Sequence, residues 1–155
     1  MKRPFGLLLL LLLLLSVACS GPVFDASRFA GTWTGELTEP RSGARLPITA
    51  EVTPDGDNLK VRLGVPGGAP ETFVMEITTE AATLAETRSA RFGTVQGSLT
   101  AAGELRAAGK DVAGPLAWFE LEGTWGEELD ARIDFALDIA AKFAPAAKAR
   151  VTLRR

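Results

Sequence analysis

The 155-residue chain offers few side chains that could do chemistry, and its one thiol lies close to the start. Cys19 is the only cysteine, and the chain has no histidine and no tyrosine. That excludes a Ser-His-Asp triad, imidazole acid–base work and imidazole metal sites. Carboxylates, hydroxyls and lysines remain. Asp55, Asp57 and Asn58 surround Gly56. A calcium loop needs roughly six to eight oxygens and a bidentate acid further along, which this spacing does not supply, so a hairpin turn is expected. Asp130, Asp134 and Asp138 form an acidic row that reads as a solvated face. No catalytic residue, metal or cofactor is expected, and the chain is not read as an enzyme.

The chemistry open to Cys19 follows from what precedes it. Met1-Lys2-Arg3 is a short positive start, Leu7 to Leu15 is unbroken leucine, and Ser16-Val17-Ala18 closes the run with small residues. This is the three-part layout of a secretory signal peptide. The apolar stretch from Phe5 to Ala18 reaches about 21 Å as a helix, short of the ~30 Å hydrocarbon core of a bilayer. Ser16-Val17-Ala18-Cys19 resembles the lipobox of bacterial lipoproteins, although Leu15 stands one position further back than is usual. The resemblance implies a diacylglyceryl thioether on Cys19, cleavage before it, and a lipid-anchored mature chain. Ser20, where aspartate would favour retention in the inner membrane, implies the outer membrane, facing the periplasm. A conventional signal peptide cut after Ala18, leaving a free thiol, is the alternative.

On this reading 1–18 is a lipoprotein signal peptide, helical while it lasts, 19–27 a lipidated tether and 28–155 one β domain. Losing Lys2 and Arg3 leaves 15 basic against 19 acidic residues. A mildly acidic chain of mixed charge has no electrostatic footprint for nucleic acid. The 137 residues from Cys19 onward are enough to bury a core.

Beyond the tether, apolar and polar residues alternate with the period of half-buried strands. Phe29, Gly31, Trp33, Gly35 and Leu37 share one face. Leu46 to Thr53 and Leu59 to Val65 alternate in the same way around Pro54-Asp55-Gly56-Asp57-Asn58, which makes them a hairpin. Phe73, Met75 and Ile77 mark a fourth strand. Weaker candidates are Thr83 to Thr87 and Arg91 to Thr100, with Glu104 to Ala108 as a short edge strand. Ala117, Phe119, Leu121, Gly123 and Trp125 form another inward face. Leu129 to Ile139 suits a strand by its alternation and a helix by its alanines; strand is preferred because its neighbours are strands. After Pro145, Ala149, Val151 and Leu153 end the chain. The fold class is all-β: an antiparallel meander of eight to ten strands, closed as a barrel or folded as a sandwich.

Gly31-Thr32-Trp33 recurs as Gly123-Thr124-Trp125. A glycine followed two residues later by an inward tryptophan resembles the first strand of lipocalins and related calycin barrels. The wider run of Gly31 to Leu37, Leu46-Pro47-Ile48, Asp55-Gly56-Asp57 and the late Gly-Thr-Trp resembles a bacterial lipocalin-like module. The resemblance implies a barrel whose closed end is plugged by the Trp33 indole, with Arg150 or Arg154 packed over it. Trp33, Trp118, Trp125 and Arg150 are the candidate ligand or partner contacts. Trp118 faces away from Phe119 and Trp125 and is the candidate for an outer contact surface.

The function expected is that of a lipid-anchored, exported binding or scaffold module of the cell envelope, holding a small apolar ligand. The alternative is an accessory lipoprotein that acts only through protein partners.

Overall fold

The structure is a computed structural model and describes residues 21–112, 116–139, 142–143 and 147–155. The expected signal peptide, the Cys19 anchor and the break at Pro145 lie outside the described residues. The strands are β1 (Gly31–Thr38), β2 (Arg45–Asp55), β3 (Asn58–Gly64), β4 (Glu71–Ile77), β5 (Ala81–Ser89), β6 (Gly93–Thr100), β7 (Glu104–Lys110), β8 (Leu116–Trp125), β9 (Glu128–Ile139), β10 (Lys142–Phe143) and β11 (Ala147–Arg154). From β1 to β9 each strand pairs antiparallel with the next. The two-residue β10 folds back on β9. β11 pairs with β9 on one side and β1 on the other, which closes the meander into a ten-stranded barrel rather than a sandwich.

The alternation read from the sequence is the inside and outside of this wall. Trp33, Ala50, Val52, Leu59, Leu99 and Leu153 are buried within it. Charges take the outer face, where cross-strand pairs form between Arg45 and Glu36 at 3.2 Å, Arg62 and Glu51 at 3.4 Å, and Arg154 and Glu128 at 2.9 Å. An apolar interior inside a charged wall is the reverse of a barrel that faces lipid all round.

Three local expectations meet the structure. Leu129 to Ile139 is strand, paired with β8 and β11, because cross-strand packing of Ile133 and Phe135 outweighs alanine's helix preference. β7 is not an edge strand: Leu105 pairs with Leu99 on one side and Gly123 on the other, and closure leaves it no free edge. Packing also reaches into the span read as tether, since Phe24 is buried and stacks on Phe29 at 5.4 Å.

One end of the barrel is a sealed floor. The only helical feature among the described residues is the 3-10 turn Ala26–Arg28, started by Asp25, whose carboxylate accepts from Ser27 N at 3.0 Å. This turn lays Phe24 and Phe29 across the floor. Phe24 N donates to Thr79 O at 2.8 Å and the Arg28 guanidinium to Ala101 O at 2.7 Å. Where β1 meets β11, Gly35 lets the backbones close: a Cβ there would overlap the carbonyl of Thr152.

Candidate functional site

The two Gly-Thr-Trp tryptophans meet on the floor. Trp33 is fully buried, and its Nε1 donates to Phe29 O at 2.8 Å. The Trp125 ring stands edge-on to Trp33 at 5.3 Å and to Phe29 at 5.8 Å. Its own Nε1 is buried with no partner among the described residues. The cation over the Trp33 ring is Arg155, 4.6 Å from the centroid, and neither Arg150 nor Arg154. Those two project from the outer face. Arg150 donates to both carboxylate oxygens of Asp130, and Arg154 to Glu128. The phase of the last strand carries this signal: Arg155 shares the inward face of Ala149, Val151 and Leu153.

Toward the other end, the mouth, the interior is apolar but not sealed. Leu37, Leu63, Val65, Phe73, Phe119 and Ile133 pack against the core and are only half-buried. Phe92 stands between Phe73 and Phe119, at 6.0 and 6.4 Å. Gly109, directly across from Phe119 in register, makes room for that ring, because a Cβ would strike it. The floor is therefore a dry aromatic plug, whereas the apolar side chains of the mouth half are only partly buried.

The wall of that half is split. β4 and β5 pair only at Glu76↔Thr83 and Ile77↔Ala82, next to the turn that joins them. Beyond Leu84 a bulge shifts the register of β5 against β6, which bends the strand at the point where it leaves β4. The split is bridged at the mouth by polar groups. The Glu71 carboxylate accepts from Ser89 Oγ and, at 3.0 Å, from Arg91 N. The Arg91 guanidinium reaches Val65 O at 3.2 Å across the gap. Ser89 is the one buried polar residue of the described chain. Glu71 went unnoticed in the sequence, although it shares the inward phase of Phe73, Met75 and Ile77; an acid in such a phase is the signal that marks it.

The remaining candidates lie on the outer wall. Half-buried Trp118 lines a shallow groove of about 200 Å³ with Glu86, Gln96, Lys110 and Glu120. This groove shares Gln96, Ala108 and Glu120 with a larger one of about 430 Å³ over β5–β8. Asp55 to Asn58 form the expected turn, with Gly56 at φ 59° and Lys60 paired to Asp55 at 2.5 Å. The acidic row is dispersed into ion pairs: Asp130 with Arg150, and Asp134 with Arg132 at 3.2 Å. The side chain of Asp138 lies outside the described residues. The Arg150 hydrogen bonds, more than its charge, hold the Asp130 carboxyl below the usual carboxylate range, and Asp130 raises Arg150 in turn. Among the described residues no cluster of acids or thiols could hold a metal ion.

No family model matches the chain, and neither does any curated protein or solved structure. The class defined by fold and site is a closed ten-stranded antiparallel β-barrel with a plugged floor.

Proposed function

We propose that this protein is a lipid-anchored, exported β-barrel binding module of the cell envelope that holds a small apolar ligand in its mouth half. The observation that carries the reading is the contrast within one interior. Trp33, Leu59 and Leu99 are fully buried on the floor side, whereas inward-facing Leu37, Leu63, Phe73 and Phe119 keep solvent exposure. Half-wet apolar surface inside a closed wall gains about 25 cal/mol per Å² when a ligand covers it. Barrels of about this size are either filled by side chains or hold one small ligand. The likeness to lipocalin and calycin barrels is supported by the floor, where a first-strand tryptophan lies beneath a C-terminal arginine. The leader and Cys19 support export, lipidation and a place at the outer membrane facing the periplasm.

Native mass spectrometry of the protein purified from membranes tests the binding claim, together with titration of a fluorescent long-chain probe. A retained lipid or metabolite, or a saturable probe site weakened by Phe119→Trp, is the expected result. Protein that is always empty and excludes the probe would overturn it.

A second reading is favoured by the groove around Trp118. In it the protein acts through an envelope partner that docks on β6–β8, without a ligand. Crosslinking in intact membranes would then recover one partner from the wild type and lose it with Trp118→Ala.

A further inference from the structure

Three features of the described chain fall on the same side of the barrel. The first is the split, where β4 and β5 lose their pairing beyond two register positions. The second is the point at which the N-terminal segment leaves the fold. Phe24 is tied to Thr79 O, in the turn between β4 and β5, and Gly21 to Val23 before it are exposed. The third is an interruption in the charged coat. Between Glu76 near the floor and Glu86 toward the mouth, the outward side chains of β4, β5 and β6 are Thr72, Val74, Thr83, Ala85, Gln96 and Ser98. None of these six carries a charge; the exposed charges of this face, Glu76 at one end and Glu86 and Arg88 at the other, flank them. Ion pairs lace β1–β3, β7–β9 and β11, and at the mouth end of β5 Glu86 pairs with Lys110 at 3.2 Å. Two of the three exposed large hydrophobics among the described residues belong to this side: Val74 on β4, at 47% exposure, and Val23 where the described chain begins, at 67%.

We propose that the uncharged β4–β6 seam faces the lipid surface, and that the split is the route by which an acyl chain passes between the bilayer and the barrel interior. The inference rests on the lipidation of Cys19 proposed above. Four residues lie between Cys19 and Phe24, whose ring is buried, and the five Cα steps span at most about 18 Å when fully extended. A tether that short, leaving the fold at the floor end of the β4–β5 seam below the split, holds this side of the barrel near the membrane. A charged wall costs desolvation when pressed onto lipid, and a seam of threonine, valine, alanine and amide groups costs far less. The unpaired backbone groups that border the split still need water, so the seam sits at headgroup level and not within the hydrocarbon. The split opens toward the half-buried rings of Phe73, Phe92 and Phe119, against which an acyl chain would rest.

The test uses the full chain, with acylation checked by intact mass, reconstituted in phosphatidylethanolamine/phosphatidylglycerol vesicles. A benzophenone amino acid is placed at Val74 on the seam or at Arg132 on the far wall. Val74 is expected to crosslink to lipid at least tenfold more than Arg132. Transfer of a pyrene-labelled fatty acid from the vesicles into the barrel is expected to slow about tenfold in Val74→Glu. Probe affinity measured without vesicles should stay within twofold. Acylated protein that crosslinks equally at both sites, or whose transfer ignores Val74→Glu, would overturn this inference alone. A chain without acyl mass would overturn the anchor reading and this inference with it.

Discussion

The Arg155 guanidinium lies 4.6 Å from the centre of the Trp33 indole, so the last residue of the chain rests on the first inward side chain of β1. The same guanidinium also reaches Ala30 O at 3.4 Å. Trp33 is enclosed by Trp125 and Phe29 and tied through its ring N–H to Phe29 O. Removing this indole empties the floor. Trp33→Ala is expected to cost about 3–5 kcal/mol, a large part of the roughly 5–15 kcal/mol available to a domain of this size. Thr34→Ala, exposed on the opposite face of the strand, should cost well under about 1 kcal/mol. Thermal unfolding of the two variants checks the pair, and equal damage from both would contradict the register of β1.

Arg155→Ala addresses the cation alone. A cation–π contact at a partly exposed site contributes about 0.5–1 kcal/mol. The variant is expected to unfold a few degrees early and to show an altered Trp33 fluorescence spectrum. Arg150→Ala should leave that spectrum unchanged, since Arg150 faces Asp130 outside the barrel.

Glu71 holds the two lips of the split through Ser89 and Arg91. Glu71→Ala removes an acceptor from hydrogen bonds that include a part-buried backbone N–H, at a cost of about 1–3 kcal/mol. The loss should be local. Hydrogen exchange is expected to speed up in 64–71 and 89–93 while the floor strands around Trp33 and Leu99 keep their protection. Uniform acceleration across the barrel would argue against a local latch.

The Asp130–Arg150 pair gives a dependence on pH whose sign is fixed. Asp130 titrates lower in the folded chain than in the unfolded one, chiefly through its hydrogen bonds from Arg150. Its contribution is therefore complete above the unfolded carboxylate pKa of about 3.9 and fades as pH falls through the lower folded value. The pair is largely exposed and screened by solvent, so its contribution is small. Denaturant midpoints of wild type and Asp130→Asn should differ slightly at pH 7 and converge in acid below about pH 4. A gap that widens in acid would reverse the argument.

Cys19→Ser is expected to abolish anchoring, because thioether formation needs the sulfur. Radiolabelled palmitate should disappear from the protein, which should then leave the membrane fraction or persist uncleaved. Undiminished labelling would return Cys19 to the status of a free thiol behind a conventional signal peptide.

The period-two pattern made the wall legible, because in a barrel with one apolar side each residue's phase decides its face. Trp33 and Trp125 on the floor, Trp118 outside and the turn at Asp55 to Asn58 all follow from phase or turn chemistry. Closure did not follow from phase, since Leu105 on an edge strand and Leu105 inside a closed wall have the same alternation. The split was hidden for a related reason. Phe73 and Leu84 look like ordinary strand residues, and whether their backbones meet depends on a bulge formed by tertiary geometry. Arg155 was within reach, two residues past Leu153 on the same face, but a terminal residue carries little pattern of its own. Glu71 and Ser89 find each other across 18 positions, a pairing that local sequence does not encode.

Closure through β11 and β1 also sets a clock. β1 has its second neighbour only once residues 147–154 are in place, and Trp33 has its cover only when Arg155 arrives. A chain that folds as it is made therefore leaves the free edge of β1 unpaired until residues 147–154 are available to it. Contacts that span the whole chain are slow to form. This architecture makes closure of the barrel a single late event of folding, in which the first strand and the last meet.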